Sequence, residues 1–127
     1  MNTLTDIRNV AVNVSDQDAA LRFYTDTLGF ATHVDGDTPA DGDTPAGRWI
    51  IIAPPDANVA ISLVANPDAA GTDTGIRFGT ANAAQSHRTL TEHGVTVSEL
   101  ITWDNTPPMF SFDDPDHNRF YVIEDQQ

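Results

Sequence analysis

A strand pattern that runs into a helix pattern and stops on glycine occurs twice in this chain of 127 residues. No other feature limits the fold as much. In residues 7–14 (Ile-Arg-Asn-Val-Ala-Val-Asn-Val), Val10, Val12 and Val14 alternate with Asn9, Ala11 and Asn13. That period of two belongs to a strand with one face in a core. The spacing then predicts a helix from a Ser15 cap to about Leu28, with Asp16 and Asp18 in the first turn, where the helix dipole favours anions. Leu21, Tyr24 and Leu28 share one stripe of it, and Gly29 supplies the left-handed stop. The second occurrence has a strand over 75–80 and a helix over 82–93 stopped by Gly94. Aligning Val10 with Ile76 also pairs Val12 with Phe78, Asp16 with Asn82 and Tyr24 with Leu90, and one deletion brings Gly29 onto Gly94.

Each unit continues with three further strand patterns: about 30–34, 48–53 and 59–64 in the first, and about 95–101, 109–112 and 119–124 in the second. The order is therefore β-α-β-β-β twice, an α+β class. Module 1 is expected over about 5–66 and module 2 over about 73–125, within one domain spanning 1–127. Residues 66–74 read as a Pro/Gly/Asp linker. Residues 35–46 are a tandem duplication of Asp-Gly-Asp-Thr-Pro-Ala, without an apolar anchor, and read as a flexible hairpin loop. The alternative, a cation site from Asp35, Asp37, Asp41 and Asp43, lacks the spacing and distal Glu of a calcium loop.

Charge narrows the partners. There are 19 acidic residues against 6 basic ones, a formal net charge of −13, and every basic residue is Arg. Nucleic acid and anionic membrane surfaces would both be repelled. The surplus of Asp without Lys fits either a high-salt habitat or a GC-rich genome. No apolar run approaches the roughly 20 residues that span a bilayer. The opening Met-Asn-Thr-Leu-Thr-Asp-Ile-Arg-Asn-Val lacks a signal peptide's basic and apolar regions, so the expectation is a cytoplasmic protein. Cysteine is absent, which removes disulfides, thiol catalysis and thiolate-held zinc together.

Two segments carry a family resemblance. One is Val-Ala-Val-Asn-Val-Ser-Asp (10–16) followed by Ala-Leu-Arg-Phe-Tyr-Thr-Asp-Thr-Leu-Gly-Phe (20–30). The other is Phe-Ser-Phe-Asp-Asp-Pro-Asp-His-Asn-Arg-Phe (110–120), with His117 where glycine is usual. With the Arg-Trp-Ile strand and its Ala-Pro-Pro turn (48–55), these resemble the vicinal oxygen chelate superfamily of glyoxalase I, extradiol dioxygenases, fosfomycin resistance enzymes and bleomycin resistance proteins. The resemblance implies two βαβββ modules whose curved sheets form an open barrel around a cavity. It is specific for fold and unspecific for activity.

In the family's enzymes, one residue from each of four strands holds a divalent metal. Those positions fall here on Asn9, Ser62, Gly75 and Tyr121. An amide, a hydroxyl, a bare backbone and a phenol are not the imidazole, carboxylate or thiolate donors that zinc, iron or manganese take. The expectation is a member with no metal and no cofactor.

Strand alternation places Asn9, Ala11 and Asn13, then Ala60, Ser62 and Val64, then Gly75, Arg77 and Gly79, and finally Arg119, Tyr121 and Ile123 on the cavity-facing sides. Arg77 in mid-strand points to a bound carboxylate or phosphate, or else to an internal salt bridge with an Asp. Glycines 75 and 79 leave volume beside it. Trp49, Trp103, Phe110 and Phe112 are candidate apolar walls, or else plain packing residues. His87, on a stripe with Ala83 and Leu90, reads as a hydrogen-bonded core residue, and His93 as a last-turn cation.

The leading expectation is a metal-independent small-molecule binder, as in the bleomycin resistance branch, using Asn9, Asn13, Trp49, Ser62, Arg77, Trp103, Arg119 and Tyr121. Its ligand would be anionic or aromatic. One rival is a metal-free enzyme, lyase- or isomerase-like, with Tyr121 or His117 as acid or base. The other is a dimeric interaction module with a closed cavity. A homodimer is implied by the resemblance alone.

Overall fold

The computed structural model of the chain describes residues 3–43 and 45–125. Thr44, inside the duplicated segment, and the terminal residues of the expected 1–127 domain lie outside the described residues. Two compact units part between Asp68 and Ala69, and each is a βαβββ module.

Module 1 comprises β1 (Asn9–Val14), α1 (Gln17–Arg22), β2 (Ala31–Thr38), β3 (Gly47–Ala53) and β4 (Ala60–Ala65). Its sheet runs β1-β4-β3-β2, with β1 parallel to β4 and the other pairs antiparallel. Module 2 repeats this in β5 (Asp73–Thr80), α2 (Ala83–Glu92), β6 (Thr96–Val97), β7 (Met109–Asp113) and β8 (Arg119–Glu124), with the order β5-β8-β7-β6. The parallel pairing of first and last strand recurs there between β5 and β8.

The aligned residues do the same work in both modules. Asp16 caps α1, accepting from the Ala19 amide at 3.1 Å, and Asn82 caps α2, accepting from Gln85 at 3.0 Å. The cap is thus Asp16 and not the expected Ser15, because a side-chain oxygen must reach the amide three residues on. Gly29 and Gly94 follow their helices at φ 77° and 79°, a left-handed conformation that closes the last turn. After Arg22 the first helix widens into a π turn over Phe23–Thr27, which seats Tyr24 fully in the core. Gln17 ties the helix to its sheet, its amide donating to the Arg48 carbonyl at 3.0 Å and the Leu63 carbonyl at 2.9 Å.

The alternation read from sequence matches burial. Val12, Val14, Ile50, Ile52 and Leu63 are closed off with Tyr24 in module 1. In module 2 the rings of Phe112 and Phe120 stack at 5.3 Å, with Phe78 at 5.6 Å from Phe120. Each buried ring withdraws enough apolar surface to stabilise the module by roughly 2–3 kcal/mol. Phe110 and Phe112 are therefore core residues, not cavity walls. Their β7 positions pair with Val122 and Phe120, so they point away from the face that carries Tyr121.

Three boundaries differ from the sequence reading. The first four residues of the supposed 35–46 loop belong to β2, where Asp35 and Asp37 lie opposite Ile50 and Arg48. Arg48 anchors this extension: its Nε and Nη2 donate to the two Asp35 carboxylate oxygens at 2.8 and 2.9 Å, and its Nη1 donates to Asp18. The strand expected over 95–101 is a two-residue β6 with one further bridge, Ile101 to Met109. Finally, β5 begins at Asp73, two residues inside the supposed linker.

The Asp-Pro-Asp turn is a polar anchor. Among the described residues Asp114 and Asn118 are the two buried polar ones, 3% and 1% exposed. Asp114 Oδ1 accepts from the amides of Asp116 and Asn118, and the Asn118 side-chain amide donates to Asp114 Oδ2, each at 2.9 Å. Asn118 Oδ1 accepts from the Gly71 and Thr72 amides at 2.9 and 3.1 Å. Buried polar groups are tolerated only when satisfied in this way. The signature thus fastens the segment before β5 to the start of β8. His117 sits within it at φ 67°, which explains why glycine is usual at that place.

Candidate functional site

In module 2 the sheet face opposite the phenylalanine core carries a polar cluster. Arg77, Tyr121 and Ser111 lie side by side across β5, β8 and β7. The Arg77 guanidinium carbon stands 5.4 Å from the Tyr121 ring centroid, a cation–π distance, and its Nη1 donates to the Gly75 carbonyl at 2.8 Å. The Tyr121 hydroxyl donates to Asp73 Oδ2 at 2.6 Å, and the Gly75 amide donates to Asp73 Oδ1 at 3.1 Å.

A bulge makes this possible. Asp73 pairs with Arg119 and Arg77 pairs with Tyr121, so β5 fits two more residues than β8 between those pairs. Gly75 takes up the excess at φ 69°, in the left-handed region that a side chain would strain. The Tyr121 hydroxyl, ahead of the Gly75 amide, holds the Asp73 carboxyl below its ordinary 3.8. The same carboxylate, ahead of desolvation, pushes the Tyr121 phenol above its ordinary 10.0.

Arg119 takes the salt-bridge arrangement, its Nε 3.3 Å from Asp113 Oδ1. Arg77 is held instead by a carbonyl and an aromatic face. The volume beside Arg77 is real at Gly75, where an added Cβ would meet nothing within 4 Å. At Gly79 that space is occupied, because a Cβ would run into the Asp125 carboxylate. Trp103 is exposed on the segment after β6. The His117 side chain is 82% exposed, 4.0 Å from Asp113 Oδ2. His87 is hydrogen-bonded as expected, its Nε2 2.8 Å from the Ser98 carbonyl and its ring edge-on to Phe110 at 5.1 Å, but it is half-buried and not a core residue.

In module 1, Asn9 and Trp49 line a cleft of about 430 Å³, with Val34, Ile51 and Ala60 among its other walls. Asn13 and Ser62 lie further along the sheet, opposite Val64 and Ala11 of the β1–β4 pair. Trp49 is 53% exposed, so it is not a packing residue of the module's core.

Asp73 is the residue that sequence reasoning missed. It fell in the supposed linker, although it shares the parity of Arg77 and precedes the glycine at a metal-ligand position. Those two signals together would have drawn it onto the strand.

The four positions where relatives hold a divalent ion do not suit one here. Gly75 has no side chain, and its amide is already given to Asp73. Tyr121 is a neutral phenol donating to a carboxylate. Asn9 and Ser62 offer neutral oxygens that bind such ions weakly. Among the described residues no three His, Cys, Asp or Glu side chains form a group able to hold a metal.

Two tandem βαβββ modules of identical strand order define a glyoxalase-type fold. The sequence matches the Glyoxalase/Bleomycin resistance protein/Dioxygenase superfamily over residues 6–122, and the chain belongs to that superfamily. Among solved structures it is similar to a superfamily member from Sphaerobacter thermophilus, with 30% identity and a TM-score of 0.84, covering 98% of this chain and 100% of the other. It is also similar to TnmS3, an antibiotic binding protein from Streptomyces sp. CB03234, with 26% identity, a TM-score of 0.82, and 99% and 100% coverage. A glyoxalase/bleomycin resistance protein from the same Streptomyces follows at 28% identity, a TM-score of 0.76, and 93% and 99% coverage. No curated protein matches the chain. Among the described residues no helix is long and apolar enough to cross a membrane.

Proposed function

We propose that this protein binds a small molecule without metal chemistry, and that the ligand carries an acidic group received by Arg77. The carrying observation is the guanidinium itself: it is presented on an open sheet face, oriented by the Gly75 carbonyl and the Tyr121 ring rather than neutralised by a salt bridge. A planar guanidinium set in this way can grip a carboxylate or phosphate through paired hydrogen bonds. Arg119 and Trp103 are the further candidate contacts of this reading in module 2, and Asn9, Asn13, Trp49 and Ser62 are its candidate contacts in module 1, each module taken by itself. The description of TnmS3 as an antibiotic binding protein supports a drug-sized ligand and a sequestering role.

The rival metal-free enzyme, with Tyr121 or His117 as acid or base, is disfavoured at one point, Tyr121 as the base. Tyr121 donates to Asp73, which raises its pKa and keeps it a phenol near neutral pH. The proposal includes a cytoplasmic homodimer with no cofactor. Light scattering is expected to give twice the 13.7 kDa chain mass.

Isothermal titration with phenyl phosphate and benzoate tests the binding. Saturable heat that survives a chelator, and an affinity about tenfold weaker in Arg77→Ala, is the expected outcome. Absence of heat with both compounds, or heat abolished by the chelator, overturns the proposal.

A further inference from the structure

The Arg77 cluster of module 2 contains a carboxylate that a receiver of acids does not need. Gly75 holds both charges with its two backbone groups: its amide donates to Asp73 Oδ1 at 3.1 Å, and its carbonyl accepts from Arg77 Nη1 at 2.8 Å. Tyr121 holds them a second time, its hydroxyl donating to Asp73 Oδ2 at 2.6 Å and its ring centroid 5.4 Å from the guanidinium carbon. Both carboxylate oxygens are thus engaged, and Asp73 is fixed beside Arg77 through shared partners rather than through a contact between the two charges.

A second carboxylate stands at the other end of β5. The space over Gly79, on the same strand face as Arg77, is filled by Asp125. Arg119 is already paired with Asp113 at 3.3 Å, and His117 approaches that same Asp113. The guanidinium therefore stands between two negative charges that have no cation of their own in direct contact. Such an arrangement attracts one negative charge and resists a second, because repulsion by a fixed carboxylate grows in proportion to the charge of the ligand. Selectivity commonly uses a repulsive element of this kind alongside the attractive one.

We infer that Asp73, together with Asp125, sets the charge of the ligand: the Arg77 site takes an acid with a single negative charge, such as a carboxylate, and disfavours dianionic phosphate monoesters. The inference rests on the reading of Arg77 as the anion receiver and deepens it, with Asp73 as the specificity-determining residue.

The test is isothermal titration at pH 8 and about 0.01 M salt, where charges act over roughly 30 Å. Phenyl phosphate, with a second ionisation at roughly pH 6, is then a dianion. Methyl phenyl phosphate offers the same phosphoryl group as a monoanion, and benzoate is the carboxylate. Both monoanions are expected to bind about threefold more tightly than the dianion. In Asp73→Asn the monoanions should gain about threefold and the dianion about ninefold, which abolishes the preference. Asparagine keeps an oxygen for the Tyr121 hydroxyl and the Gly75 amide, so the cluster retains its geometry. Asp125→Asn leaves those bonds untouched and should shift the ratio in the same direction. Glu92→Gln removes the same charge from the end of α2, the helix whose His87 packs on Phe110 behind the sheet, and should leave the ratio unchanged.

A dianion bound as tightly as the monoanions in the unaltered protein, a constant ratio in either Asp variant, or an equal shift in Glu92→Gln overturns the inference. If benzoate still binds and weakens in Arg77→Ala, it fails alone. If neither benzoate nor phenyl phosphate gives heat, the Arg77 reading fails and the inference with it.

Discussion

Tyr121 and Asp73 are 48 positions apart in sequence, and their side chains meet in a hydrogen bond of 2.6 Å across the β5–β8 pair. This bond joins the position where relatives carry their last metal ligand to a carboxylate brought in by the β5 bulge. The cation–π contact of Arg77 rests on the same phenol, so the pair sets the face on which the acidic ligand is proposed to dock.

The pair should be visible by titration. Phenolate absorbance of Tyr121, assigned with Tyr121→Phe, is expected to rise only above the ordinary 10.0 and to return toward that value in Asp73→Asn. The folded pKa of Asp73 lies below its unfolded value, so its stabilising contribution is present above about 3.8 and is lost as pH falls through the lower, folded value. Tyr121 is shifted the other way, so its contribution is full below about 10 and is lost as pH rises through the higher, folded value. Urea midpoints measured against pH should therefore flatten at both extremes in Asp73→Asn. Unchanged limbs would mean that the bond does not persist in solution.

Asn118→Ala should destabilise module 2 severely. It strands the Gly71 and Thr72 amides and removes a donor from buried Asp114. Leaving such groups unsatisfied costs about 2–4 kcal/mol, to be read as a lower denaturant midpoint.

His117→Gly should have the opposite sign. At φ 67° a side chain is strained, and glycine relieves that strain while adding freedom to the unfolded chain. A net gain of about 0.5–1 kcal/mol is expected, with ligand binding unchanged. A loss of stability would show that the His117 side chain contributes more than its weak approach to Asp113.

Arg48→Gln should release the carboxylate that extends β2. Arg48 holds the Asp35 pKa below its ordinary 3.8, chiefly through their hydrogen bonds, so carbon-13 NMR should show Asp35 titrating nearer 3.8 in the variant. The Asp18 carboxylate loses the same partner. Both groups are open to solvent, where salt screens such pairs, so only a small change in global stability is expected.

Much of the fold could be read directly from residue order. Alternation in Val10-Ala11-Val12-Asn13-Val14 separates the core face of β1 from its open face, because side chains along a strand point to opposite sides by geometry. The capping oxygens of Asp16 and Asn82 and the left-handed Gly29 and Gly94 act within four residues of themselves, so local pattern reveals them too, to within the one-residue error at Ser15. The resemblance of residues 110–120 to a family signature was equally plain, although its role is to bury and satisfy Asp114 and Asn118.

What stayed hidden depends on a partner strand. Sequence alone determined two βαβββ modules and a face bearing Arg77 and Tyr121, since each follows from residue type and local period, whereas the metal-ligand positions came from the family resemblance. Tertiary structure decided that Asp73 reaches Tyr121, that His33 is the extra residue between Thr32 and Val34 of β2, and that Gly79 leaves room for Asp125 rather than for a ligand. A bulge is a mismatch in length between paired strands, and neither strand records the count of the other. Only their hydrogen-bonded register shows where the extra residue falls and which way its side chain is turned.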